Sequence, residues 1–316
     1  MEHFTPWIVL GIYMFSLLFL DFFVLHDKNK ATSVNRAILG TVFFIANALL
    51  FSGFIYWAYD HSAIDNVNNL TASQAVVKYL TGYIIELSLS VDNLFVIAII
   101  FTSFKIPLKD QHRLLFLGIL GAIVFRALFI SLGLVLIHKI HGMNIFFGLF
   151  LLFTALKMLK KEAEENETEE QPVGLMKYFR FSKVLDGDKF ITTIDGKRVF
   201  TALFGALLTI EFTDLLFALD SIPAIFAVTT DPFIVYSSNI FAIMGLRSLY
   251  FFLSNMLEKF KYLKYSVFSI LLFVSLKLIT SGWVKIPEWF SLLFIGLSLL
   301  IGIYVSLVNA RKSVGD

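Results

Sequence analysis

Long apolar runs separated by short polar breaks make up most of this 316-residue chain. Nine runs stand out, at 7–25, 37–59, 79–103, 114–137, 143–159, 200–228, 234–254, 264–281 and 289–308. Each is long enough, or nearly so, to cross about 30 Å of hydrocarbon at about 1.5 Å per helical residue. The pattern predicts an all-α polytopic membrane protein with about nine transmembrane helices. The first run has no basic stretch before it and no small-residue cleavage site after it, so it reads as a retained helix and not as a signal peptide.

One hydrophilic segment, 160–198, divides the chain into a membrane part at 1–159 and another at 199–316. Its first portion, KKEAEENETEE, reads as a solvated acidic linker. Its second, DKFITTIDGKRVF, alternates apolar and polar positions around Asp195 and Gly196, which predicts a small β-hairpin lying on the cytoplasmic face.

Composition narrows the class. Hydrophobic residues make up 58% and charged residues 16%, well outside the range of a soluble domain. A net charge of +2 is too small to point to nucleic acid. The absence of cysteine removes disulfides, thiolate metal sites and thiol catalysis together. The six histidines, His3, His26, His61, His112, His138 and His141, fall in loops or near helix ends, so a cation held inside the membrane would be oxygen-liganded.

Basic residues gather in alternate loops. One set contains Lys28, Lys30 and Arg36, then Lys105, Lys109 and Arg113, eight Lys or Arg in 160–198, Lys259, Lys261 and Lys264, and finally Arg311 and Lys312. The other set holds only Lys78, Lys139 and Lys285. The positive-inside rule then predicts an N-terminus outside and a cytoplasmic C-terminus. All four tryptophans, Trp7, Trp57, Trp283 and Trp289, fall at the outer interface in this arrangement.

Against this background the charges inside the runs are informative, because each costs roughly 2.5–3.5 kcal/mol at the centre of a membrane helix on insertion scales. The acids are Asp21, Glu86, Asp92, Glu211, Asp214 and Asp220; the bases are Arg126, Lys157, Arg247 and Lys277. If all ionise, two negative charges are left over, which one divalent cation would neutralise.

The charges also repeat. Placing Asp92 on Asp220 puts Glu86 on Asp214 without a gap; further along, VFRALF with Arg126 meets GLRSLYF with Arg247, and LLFTALKML with Lys157 meets LLFVSLKLI with Lys277. Two three-helix units follow, at 79–159 and 199–281, and the loop charges send them through the membrane in opposite directions. Inverted repeats of this kind bind cargo near the midplane between the two units.

Asp92 and Asp220 read as the central cation ligands. Asn93 and Ser88 lie on or beside the face of Asp92. Ser221 follows Asp220, and Pro223 cannot donate to the carbonyl of Leu219, which predicts a kink or local unwinding between Ala218 and Pro223 and a free backbone oxygen beside the carboxylate. Glu86 and Asp214 are turned about 120° from these faces, since six residues advance a helix by about 600°. They read as a second ion position or proton relay, or as partners of Arg126 or Arg247. Glu211, one turn from Asp214, would complete their site. Arg126 and Arg247 read as counter-charges for the carboxylates when no cargo is bound, Lys157 and Lys277 as the same or as snorkelling residues, and Asp21 as interfacial, structural or part of a relay.

The stretches YLTGYIIELSLSVDNLFVIAIIF and LDGDKFITTIDGKRVFTALFGALLTIEFTDLLFALDSIPAIFAVTTDPFIVYSSNIFAIMGLRSLYFFL closely resemble the TerC family of bacterial integral membrane proteins, particularly its Alx-like branch, and LDFFVLHDK is similar to the family's first helix. The resemblance implies manganese export from the cytoplasm across the bacterial inner membrane and carries the family's acidic motif onto Glu86, Asp92, Glu211, Asp214 and Asp220. Together the residues and the resemblance predict a proton-coupled Mn²⁺ exporter with the metal ion as substrate and no organic cofactor. The alternatives are a Ca²⁺/H⁺ antiporter, a scaffold or metal-delivery partner of secretion machinery, and a tellurite-resistance membrane protein. No nucleophile paired with a base and no P-loop is present, so neither an enzyme nor an ATP-driven pump is expected.

Overall fold

Each apolar run becomes helix, because backbone in hydrocarbon must satisfy its own N–H and C=O groups and a helix does so within one segment. The computed structural model describes residues 4–22, 34–66, 68–140, 142–164, 185–194, 197–254, 262–281, 283–284 and 286–312. Within its helices the side chains of Asp92, Lys157 and Asp220, among others, lie outside the described residues. The helices are α1 (Thr5–Leu20), α2 (Val34–Asp60), α3 (Ala72–Ser103), α4 (Leu108–Lys139), α5 (Met143–Glu164), α6 (Ala202–Phe226), α7 (Pro232–Met244), α8 (Leu246–Ser254), α9 (Leu263–Thr280) and α10 (Glu288–Lys312). Among the described residues four helical stretches are long and apolar enough to cross a membrane, Asn35–Asp60, Leu108–Ile137, Ala202–Phe226 and Trp289–Ser306; Thr5–Leu20, Pro232–Met244 and Tyr265–Thr280 are shorter apolar helices.

Local sequence explains several helix ends. Thr71 accepts from the Gln74 N–H at 3.3 Å while Gln74 accepts from the Thr71 N–H at 2.9 Å, a capping box that starts α3. Asp231 caps α7 through the N–H groups of Phe233 and Ile234, at 3.1 and 3.3 Å, with Pro232 in the first turn where its missing donor costs nothing. Three expectations need correction. The run 234–254 is not one helix but two, divided at Gly245. A Cβ there would stand 3.3 Å from Cβ of Phe44 on α2, so glycine permits a close approach at the point where the helix ends. The expected unwinding at Pro223 is not seen: α6 stays helical through it and ends three residues later, so the lost bond falls in a turn that is about to terminate. Helix α5 also continues to Glu164, five residues into the predicted linker, over a lysine, alanine and glutamate stretch of good helix formers.

Helix α3 lies at the centre, packed by α2, α6, α7 and α10. Helix α4 packs on α6, α5 on α9, α2 on α8 and α9 on α10. Helix α1 joins the bundle against α7, where Trp7 meets Phe233 edge-on at 5.1 Å. At Gly82 a Cβ would collide with Ile225 of α6 and Ser238 of α7, so the bare backbone brings these three helices together. Most hydroxyls in the bundle satisfy themselves at home: Thr81, Ser131, Thr209, Thr213, Ser237 and Ser238 each donate to the carbonyl four residues back.

The predicted hairpin is present as β1 (Ile191–Ile194) and β2 (Lys197–Phe200), antiparallel, with Ile191 opposite Phe200 and Ile194 opposite Lys197. Asp195 and Gly196, the expected turn, and 165–184 of the acidic linker lie outside the described residues. Arg113 at the start of α4 donates to the Asp188 carbonyl at 2.6 Å and lies 4.6 Å above the Phe190 ring, while Phe200 stacks on Phe204 of α6 at 4.5 Å. The hairpin is therefore tied to the adjacent ends of α4 and α6. Its own Asp186 carboxyl is held below the ordinary range by the Thr192 hydroxyl and by Lys189.

Candidate functional site

Arg126 lies on α4 in a run, GILGAIVFRALFI, with no other charge, so its guanidinium must find acceptors on neighbouring helices. It finds four. Nη1 donates to Glu86 Oε1 of α3, to Ser221 Oγ of α6 at 3.1 Å and to Asn239 Oδ1 of α7 at 3.2 Å; Nη2 donates to Asp214 Oδ1 of α6 at 3.2 Å. The Arg126 and Glu86 side chains are 2% and 1% exposed and that of Asp214 is 15% exposed, which makes this a buried cluster with one carboxylate at its edge. Ser90, a turn beyond Glu86, directs its hydroxyl to the same Glu86 oxygen at 3.5 Å.

The carboxylates are only half used. Glu86 Oε2, Asp214 Oδ2 and Glu211 Oε2 are buried without a hydrogen-bond partner among the described residues. An ionised carboxylate can accept about four hydrogen bonds, so this cluster keeps acceptor capacity in reserve. Glu211 fits where it does because α4 carries Gly121 opposite: a Cβ at that position would overlap its carboxylate. The set of groups is wholly oxygen-bearing apart from the arginine, with carboxylate, amide and hydroxyl oxygens and no thiolate or imidazole, which suits hard cations. Among the described residues no three acidic or histidine side chains gather as a metal cage. The guanidinium itself occupies the space between Glu86 and Asp214.

Several of the residues singled out by sequence take other positions. Asp21, just past α1, pairs with Arg247 of α8, Nη2 to Oδ2 at 2.9 Å, and Arg247 also donates to the Asp21 carbonyl; both side chains are buried and the guanidinium lies 5.7 Å from the Phe116 ring centre. Lys277 of α9 is buried and donates to Ser291 of α10 at 3.0 Å. Ser88, expected beside Asp92, bonds the Ile84 carbonyl within its own helix. Asn93 is buried on α3. Asn239 was not anticipated. Its only signal in the sequence is an amide in the apolar run IVYSSNIFAIM, and nothing local says that this amide, unlike the neighbouring serines, turns outward to a charge.

Comparison with known proteins agrees with this architecture. Residues 71–314 match the profile described as the integral membrane protein TerC family. An uncharacterized membrane protein of Rickettsia bellii (strain RML369-C) is 40% identical over 312 residues, covering 98% of this chain and 99% of the relative. A protein of Myxococcus xanthus, also an uncharacterized membrane protein, is 39% identical over 95% of this chain and 91% of its own length. A Photorhabdus laumondii protein named "Putative membrane-bound redox modulator Alx" is 35% identical over 91% of each chain. No solved structure matches the chain.

Proposed function

The chain belongs to the TerC family of integral membrane proteins, and from that premise we propose that it exports Mn²⁺ from the cytoplasm in exchange for protons. One observation carries the reading: a buried cluster of oxygen ligands, with more acid than base, sits where four helices of the bundle meet. Intramembrane carboxylates are costly and mark ion or proton pathways, and a transport site supplies a cation to them intermittently.

Asp92 on α3 and Asp220 on α6 are the proposed chief ligands, assisted by Asn93; Glu86, Asp214 and Glu211, turned about 120° from those faces, form a second cation position or proton relay beside them, which Ser221 joins when Arg126 releases its hydroxyl. Protonation of these carboxylates on the outer side releases the metal. The chain crosses the bacterial inner membrane nine times, with its N-terminus outside and its C-terminus in the cytoplasm, and it is not an enzyme. The packing supports the inverted repeat behind this scheme. Exchanging α3 with α6, α4 with the pair α7 and α8, and α5 with α9 turns the α3–α7 contact into the α4–α6 contact and leaves the α5–α9 and α3–α6 contacts unchanged. Glu86 and Asp214, aligned by the repeat, meet on one guanidinium. The name of the Photorhabdus relative refers to redox modulation; this chain has no cysteine, so thiol–disulfide exchange is not a chemistry its own side chains offer.

The test is flux in proteoliposomes that contain only this protein. With Mn²⁺ on the cytoplasmic side and an acidic opposite compartment, wild type moves Mn²⁺ and takes up the pH gradient, whereas Asp92→Asn and Asp220→Asn, folded and inserted, fall to the protein-free rate. Flux no greater than that of empty vesicles would overturn export and leave a scaffold role; full flux by the double variant would remove these two residues as ligands.

A further inference from the structure

We propose that Arg126 is a tethered competitor for the cargo: its guanidinium fills the cation position between Glu86 and Asp214, so dication binding and this arrangement of Arg126 exclude each other. The inference rests on the reading that the chain carries a dication.

Four observations support it. The guanidinium is held by acceptors from three other helices, α3, α6 and α7, at one focus. Both carboxylates contribute a single oxygen to it, and the second oxygen of each is buried without a partner among the described residues, as is Glu211 Oε2 nearby on α6. This leaves acceptor capacity that the guanidinium does not take up, and a divalent ion with six to eight oxygen ligands would use more of it. An arginine cannot make room by losing its proton, so it must turn away or be shared when a second positive charge arrives. Finally, among the described residues the arginine that the repeat places at the matching position, Arg247, meets Asp21, just past α1 and outside both repeats, whereas Arg126 meets Glu86 and Asp214.

A merely structural arginine and a competitor make opposite predictions. Losing a structural arginine damages the site and weakens cargo binding. Losing a competitor strengthens binding and slows the cycle, because the empty carrier is left with uncompensated carboxylates.

The experiment uses the full chain, purified in detergent at fixed pH, with Mn²⁺ binding read from loss of the electron paramagnetic resonance signal of the hydrated ion. Arg126→Gln is expected to bind Mn²⁺ on the order of tenfold more tightly than wild type while transporting it more slowly. Guanidinium ion at millimolar concentration should compete with Mn²⁺ in this variant and not in wild type. If Arg126→Gln does not fold, Arg126→Lys keeps the charge but loses the planar fork, and is expected to bind more tightly than wild type by a smaller factor. Unchanged or weaker Mn²⁺ binding in a folded variant would overturn the competitor while leaving the cargo assignment intact. Absence of Mn²⁺ binding in wild type and every variant would overturn the cargo assignment itself.

Discussion

Arg126 and Arg247 occupy matching places in the two halves of the sequence and have unequal surroundings in the fold. Among the described residues Arg247 meets one acid, Asp21, through both the carboxylate and the backbone carbonyl. Arg126 has two acids, an amide and a hydroxyl from three helices, with a third acid close by on α6. Among the described residues the first joins one acid to one base. In the second, the second oxygens of Glu86 and Asp214 and Nε of Arg126 itself are without a hydrogen-bond partner among the described residues. Buried ion pairs add little net stability, because desolvation offsets the attraction, so the Arg247 pair is best understood as a joint between α1 and α8 and the Arg126 cluster as a place for a further cation.

The largest expected effect separates the two on stability. Asp21→Ala removes the carboxylate that faces the buried Arg247, which should destabilise the fold by about 3–5 kcal/mol, with most of the loss recovered when Arg247 is also replaced by methionine. Mn²⁺ affinity should stay at the wild-type value wherever the protein remains folded. Thermal melts in detergent followed by size exclusion measure the first claim. A change in affinity without a change in melting temperature would mean that the joint belongs to the cargo site after all.

A smaller effect is expected at Gly121, where the glycine exists to make room for Glu211. Gly121→Ala forces the Glu211 carboxylate aside and should cost about 1–3 kcal/mol, the usual range for overpacking, with a clear loss of Mn²⁺ flux. The equivalent change at Gly53, where a Cβ would meet nothing within 4 Å, is the control and should leave flux unaltered. Equal behaviour of the two variants would remove Glu211 from the site.

The smallest effect belongs to Asn239. Asn239→Ala deletes one of four acceptors of Arg126 and should cost about 1.5 kcal/mol in stability, the low end of the range for a hydrogen bond to a charged group, because the other three acceptors remain. Because it loosens the guanidinium and removes no carboxylate, Mn²⁺ should bind slightly tighter. Weaker binding would instead make Asn239 a ligand in its own right.

What was legible in the sequence follows from the physics of apolar segments. A run such as 37–59 or 114–137 has no means of satisfying its backbone in hydrocarbon except as a helix, so the helices α2 and α4 were readable without a partner in view. The hairpin was readable from period-two alternation, and the list of intramembrane charges from their cost. The break at Gly245 was not, because an isolated glycine costs a helix only about 1 kcal/mol and the close approach of Phe44 belongs to another helix. Pro223 misled in the other direction: its local rule predicts disruption, and its place three residues from the end of α6 makes that disruption small.

By itself, then, the sequence determined which segments are helical, which charges lie among them, and that the acids outnumber the bases. Only the tertiary structure decided who pairs with whom. Arg126 reaches partners 40, 88, 95 and 113 residues away, and Arg247 reaches one 226 residues away. Such pairings carry no local periodicity, since they depend on which helix faces pack together, and it is those faces that send one arginine to Asp21 and the other to Glu86 and Asp214.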